Sequence, residues 1–110
     1  MLILCGSLLG LSGLSTGITA KAAVTSATSS FTNAWTATKK TGDGAGKLTY
    51  GFNTAWINED FAYAIHDYKY HFANVSNGIG SHVSKSVGAG VSTGIEVRHY
   101  GSSVNYAINY

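Results

Sequence analysis

Proline is absent from this chain, cysteine occurs once, and only 11% of the residues are charged. The lone Cys5 has no partner, which excludes an intramolecular disulfide framework and a multi-cysteine metal site. Lys and Arg number seven against five Asp and Glu, so the sequence shows neither a dense basic stripe nor an acidic tail. Nucleic acid is therefore not an expected partner. No repeat of fixed period is present, and 110 residues are enough for one small domain.

What is present divides into three segments. The first twenty residues carry no charged side chain and are rich in Leu, Gly and Ser. Ala20-Lys21-Ala22 then supplies the small-residue triplet that a signal peptidase accepts, so residues 1–22 read as a secretory signal and the protein as secreted and extracellular. The glycines and serines break the run too often for a membrane span, although an uncleaved N-terminal anchor is the alternative. Residues 23–46 are Ser/Thr/Gly-rich, with Phe31 and Trp35 as their only large apolar side chains. They read as a flexible lead-in.

The third segment, 47–110, alternates β-branched and aromatic residues between glycines, the pattern of short strands. About six strands are expected, at 48–52, 54–57, 61–66, 68–75, 81–87, 91–99 and 103–110, with 54–57 a continuation or partner of the first. Residues 61–66 admit a helix as well, because Asn58 followed by Glu59 and Asp60 makes a serviceable N-cap with acids in the first turn. In the strand at 68–75, Tyr68, Tyr70 and Phe72 would share one face, with Lys69 and His71 on the other. Asn77-Gly78 predicts a tight hairpin, which Gly80 would lengthen. Val104, Tyr106, Ile108 and Tyr110 share a face, as in a sheet with one wet side. The expected fold is all-β, a small antiparallel β-sandwich preceded by the signal segment and the lead-in.

The order Thr49-Tyr50-Gly51-Phe52, then His66-Asp67-Tyr68-Lys69-Tyr70-His71, then Val75-Ser76-Asn77-Gly78, closing on an aromatic-rich strand, resembles the lactococcin 972 family of secreted bacteriocins. That family runs Trp-x-Tyr-Gly-Val, Ser-x-Tyr-x-His-x-x-Lys-x-His and Val-x-Asn-Gly at similar separations. Leu48 stands where the family usually has Trp, and Asp67 where it often has Pro. The resemblance spans 47–110. It implies an antimicrobial protein that inhibits related Gram-positive bacteria by binding the lipid-linked cell-wall precursor (lipid II) and blocking septum formation. It implies neither catalysis nor a cofactor, and allows for a dedicated ABC transporter and immunity proteins as partners. The ligand would combine a pyrophosphate with amino sugars, so the candidate binding residues are the cations His66, Lys69 and His71, with Tyr68 and Tyr70 to stack on sugar faces.

The same residues also have plain structural readings: Lys69 as a solubilising surface charge, the histidines as satisfied core-edge groups and the tyrosines as core. No metal site is expected, since only His66 and His71 are near each other and their spacing does not suit one strand face. An enzyme is not indicated either. Glu59 and Asp60 are adjacent and would point to opposite faces of a strand, and no nucleophile-elbow pattern surrounds Ser84 or Ser92. The competing class is a secreted surface module that binds sugars or mediates adhesion without toxicity.

Overall fold

The computed structural model describes residues 19–28 and 31–110; the expected leader lies outside these residues except for its end at 19–22. The described chain is all-β, with eight strands in two four-stranded antiparallel sheets. Strands β1 (Ala22–Ala27), β8 (Val104–Asn109), β5 (Phe72–Asn77) and β6 (Gly80–Val83) lie side by side in that order. The second sheet runs β2 (Trp35–Lys40), β3 (Gly46–Asn53), β4 (Glu59–His66) and β7 (Thr93–Arg98).

The core between the sheets follows from period-two alternation. Leu48 and Phe52 of β3 and Ala62 and Ala64 of β4 turn inward from one sheet, and Ala73, Val75, Val104, Tyr106 and Ile108 are buried from the other. The alanines of β4 leave room for the ring of Tyr106, which meets Trp35 edge-on at 6.0 Å and Tyr50 at 4.9 Å. Val104, Tyr106, Ile108 and Tyr110 are all buried, as their shared face predicts.

Two more strands form than the six expected, because residues 23–46 are not a free lead-in. Five residues of β1, from Ala23, pair with β8 along Ile108 to Val104, and β2 pairs with β3 from Trp35↔Phe52 to Lys40↔Lys47. Small and Thr side chains bury little area, but the ladders satisfy their backbone groups, while Phe31 and Trp35 pack against the core. Residues 59–66 form strand and not helix, because β4 is central and is held by ladders to β3 on one side and β7 on the other.

Strand boundaries also move. Residues 54–57 form a loop and not a strand. The return strand ends at Val83, where the Ser84 hydroxyl accepts the Ala73 amide hydrogen at 2.8 Å. The strand expected from 68 begins only at Phe72. The Asn77 hairpin does form: Asn77 pairs with Gly80, and the Asn77 side chain accepts the Ile79 amide hydrogen at 3.0 Å. Gly80 has φ +115°, a conformation open to glycine.

The connections gather at two ends of the sandwich. Residues 41–45, 67–71 and 84–92 meet at one, and residues 54–58, 78–79 and 99–103 at the other.

Candidate functional site

The candidate segment lies where β4 gives way to β5, and a histidine explains why the chain leaves the strand there. His66 Nδ1 accepts the backbone N–H groups of Tyr68 at 3.2 Å and Lys69 at 3.0 Å. Those amides are thereby withdrawn from any ladder, and 67–70 becomes a loop. Accepting at Nδ1 places the ring hydrogen on Nε2, which donates to Asp43 Oδ2 at 2.9 Å. Gly46 pairs with His66 across the strands, and a Cβ there would stand 2.6 Å from His66 Cδ2, so the ring fits only over a glycine.

Asp43 sits in the β2–β3 turn and ties it to the loop. Its carboxylate accepts the Thr41 hydroxyl, the Ala45 amide at 3.0 Å and the Tyr68 hydroxyl at 3.1 Å, besides His66. These donors, the Thr41 hydroxyl foremost, hold the carboxyl well below the usual carboxylate range. The same hydrogen bond to Asp43 pushes the Tyr68 phenol up from its ordinary value.

Tyr110 and His71 complete the support. The Tyr110 ring stacks on His66 at 5.3 Å and 23°, and the Lys69 ammonium lies 5.5 Å from the Tyr110 centroid. His71 is fully buried, with Nδ1 at 2.9 Å from the Lys69 carbonyl and Nε2 at 2.7 Å from the Val91 carbonyl. Each ring nitrogen faces a carbonyl oxygen, and a nitrogen that carries a hydrogen donates to it. His71 thus fastens 67–70 to 84–92, and the Gly90 amide adds a bond to the His66 carbonyl at 2.8 Å.

The structure therefore divides the five candidate residues. His66 and His71 are buried struts and not surface cations, and His71 does not share a strand face with Lys69, because neither residue lies within a strand. Tyr68 is 61% exposed, and Lys69 and Tyr70 are half-buried. The site also uses Thr41, Asp43 and Tyr110, which sequence reasoning passed over. Thr41-Gly42-Asp43-Gly44 was the available signal, a polar turn between two lysine-bearing runs.

Charge is unevenly placed. Lys21, Lys39, Lys40, Lys47, Lys69 and Lys85 all lie toward the end carrying 67–71, with Asp43 and Asp67 as the acids there. Arg98 lies toward the other end, with Glu59, Asp60 and Glu96. At that other end Asp60 is fully buried and accepts His99 Nδ1 at 2.8 Å and Asn77 Nδ2 at 2.9 Å, pinning three strand ends together. Among the described residues, no group of three or more His, Cys, Asp or Glu is placed to hold a metal ion.

This arrangement can offer a phenol ring, a cation resting on an aromatic face, and a surrounding field of lysines to an anionic ligand. No protein-family model, curated protein or solved structure matches the chain.

Proposed function

We propose that the protein is a secreted bacteriocin of the lactococcin 972 type, inhibiting related Gram-positive cells by binding the lipid-linked cell-wall precursor and so blocking septum formation. The observation that carries this reading is that the His66-to-His71 run, the segment most similar to the family, forms a braced loop with Tyr68 exposed and Lys69 half-buried against Tyr110 at the lysine-rich end. Lys69 would leave the Tyr110 face to meet the pyrophosphate, Tyr68 and Tyr70 would lie along sugar rings, and the two histidines would act by holding the loop. Binding alone accounts for inhibition, so the reading calls for no catalytic group or cofactor. An exported protein that acts on related cells also calls for immunity proteins and a transporter in its producer.

Titration of the folded protein with purified lipid-linked precursor in phosphatidylcholine vesicles tests the proposal. Saturable binding that weakens in Lys69→Ala supports it, and no binding by the parent protein overturns it.

One observation favours the second reading, a sugar-binding or adhesion module. Trp56 is 90% exposed in the 54–58 loop, between Asn53 and Asn58 and at the end away from Lys69. Oligosaccharide binding that is lost in Trp56→Ala and kept in Lys69→Ala would put this reading first.

A further inference from the structure

We infer that the lysine-rich end is a docking surface for an anionic lipid bilayer, on which the sandwich stands end-on. The inference goes beyond precursor recognition and needs no precursor in the membrane. It rests on how the fold collects charge that is scattered along the sequence. Lys21 precedes β1, Lys39 and Lys40 close β2, Lys47 opens β3, Lys69 lies in the 67–70 loop and Lys85 in the 84–92 segment. Antiparallel pairing brings these positions toward one end; Lys40 and Lys47, for example, are direct cross-strand partners. Five of the six lysines are exposed, and Lys69 is half-buried.

Little at that end neutralises them. Among the described residues the close contacts between basic side chains and carboxylates are both histidine–aspartate hydrogen bonds, His66–Asp43 and His99–Asp60, and no lysine has an acidic partner. Asp43 is already engaged by four donors from its own turn and loop. Six lysines face two acids there, Asp43 and the exposed Asp67, and the surplus of like charge repels itself, a cost that an opposing negative surface reverses.

The composition of this end favours a bilayer over a soluble polyanion. Its cations are all lysine, a flexible point charge suited to fluid headgroups, while the single arginine, whose planar fork would read phosphates bidentately, is at the other end. Between the lysines stand the exposed side chains of Tyr68 and Val91, 61% and 50% accessible. A phenol beside lysines matches the headgroup level of a membrane, where an aromatic body and a polar tip are both accommodated. The acidic character of the opposite end gives the molecule a direction in the field of such a surface.

The test is co-sedimentation of the full chain with phosphatidylcholine vesicles, with and without phosphatidylglycerol, at low and high salt. Residues 1–20 carry no charged side chain and are shared by parent and variants, so comparison with the lysine variants isolates the lysines' contribution. The expected result is a preference for the anionic vesicles that high salt removes, and a loss of roughly fivefold in partition per lysine replaced. A combined Lys39→Gln, Lys40→Gln, Lys47→Gln and Lys85→Gln variant, its fold confirmed by circular dichroism, should fall to the level seen on neutral vesicles. Arg98→Gln should bind as the parent does. Equal partition of the parent on both vesicles overturns the inference without using any variant, as does a folded four-lysine variant that binds normally. Binding to soluble poly(glycerol phosphate) without binding to the anionic vesicles also overturns it, in favour of a wall polymer.

Discussion

The Tyr106 hydroxyl donates to the Gly51 carbonyl at 3.1 Å, joining β8 of one sheet to β3 of the other through the buried interior. Burial, with the negative charge of Asp60 adding to it, pushes this phenol well above its ordinary value. Tyr106→Phe keeps the ring and removes the donor, leaving a lone pair unmet in a dry site. Urea denaturation should show a loss of about 1–2 kcal/mol with an unchanged m-value.

Gly51 admits no larger residue. A Cβ at this position would stand 2.1 Å from the Trp35 carbonyl oxygen and 2.9 Å from the Phe61 ring. Since the first neighbour is backbone, Gly51→Ala should cost the upper part of the roughly 1–3 kcal/mol typical of overpacking, read as a lower thermal midpoint. Backbone amide exchange should quicken first along β2.

On the outer face Tyr63 donates its hydroxyl to the Glu96 carboxylate and lies over Gly94. Partial burial first, and Glu96 second, push its phenol up to about 12. A raised folded-state value means that the contribution is whole below the ordinary phenol range, near pH 10, and is lost as pH climbs through about 12. Ultraviolet titration should show Tyr63 ionising above the ordinary phenol range. Glu96→Gln should bring that ionisation earlier.

The opposite sign holds at Asp43. Its lowered value means that the turn-to-loop link is intact above the ordinary carboxylate range and is lost only as pH falls through the lower folded-state value. Carboxyl NMR should place Asp43 below the usual carboxylate range, and Thr41→Val should move it back toward that range, because the Thr41 hydroxyl is the largest cause of the shift.

Lys69 and His71 should separate cleanly by readout. If the protein binds the precursor as proposed, Lys69→Ala should remove one charge-assisted contact worth roughly 1.5–3 kcal/mol, which is about tenfold to a hundredfold in precursor affinity, with little change in stability. His71→Ala empties a fully buried position and takes away the ring that faces the Lys69 and Val91 carbonyls, at about 1–3 kcal/mol for a buried group left unmet. Thermal melting and precursor titration on both variants check this, and equal stability losses would argue against the division.

Much of the fold was legible because burial is written as alternation. The β8 residues Val104, Tyr106, Ile108 and Tyr110 and the Asn77 hairpin follow from side-chain period and turn chemistry. β1 and β2 were not legible, because Ala, Ser and Thr form strands there through backbone ladders whose partners lie in distant segments. The loop at 67–70 was misleading for another reason. Tyr68, Tyr70 and Phe72 alternate as a strand would, yet the His66 ring takes the amides that a strand would need. The resemblance singled out this segment by residue type, and type does not reveal which way a ring turns, so the burial of His66 and His71 was not legible.

The pairing of β1 would also bear on the order of events if a leader is removed after Ala22. The triplet Ala20-Lys21-Ala22 runs into this strand: the Ala20 and Lys21 amides both reach the Tyr110 carbonyl, and Ala22 faces Asn109. A peptidase needs its substrate segment extended and free of other partners, and here the competing partner is β8, drawn from the far end of the described sequence. Contacts between such remote segments form slowly. For a leader removed after Ala22, scission would therefore race against closure of the sheet, and the delay before β8 arrives would be the interval in which the bond is open to attack.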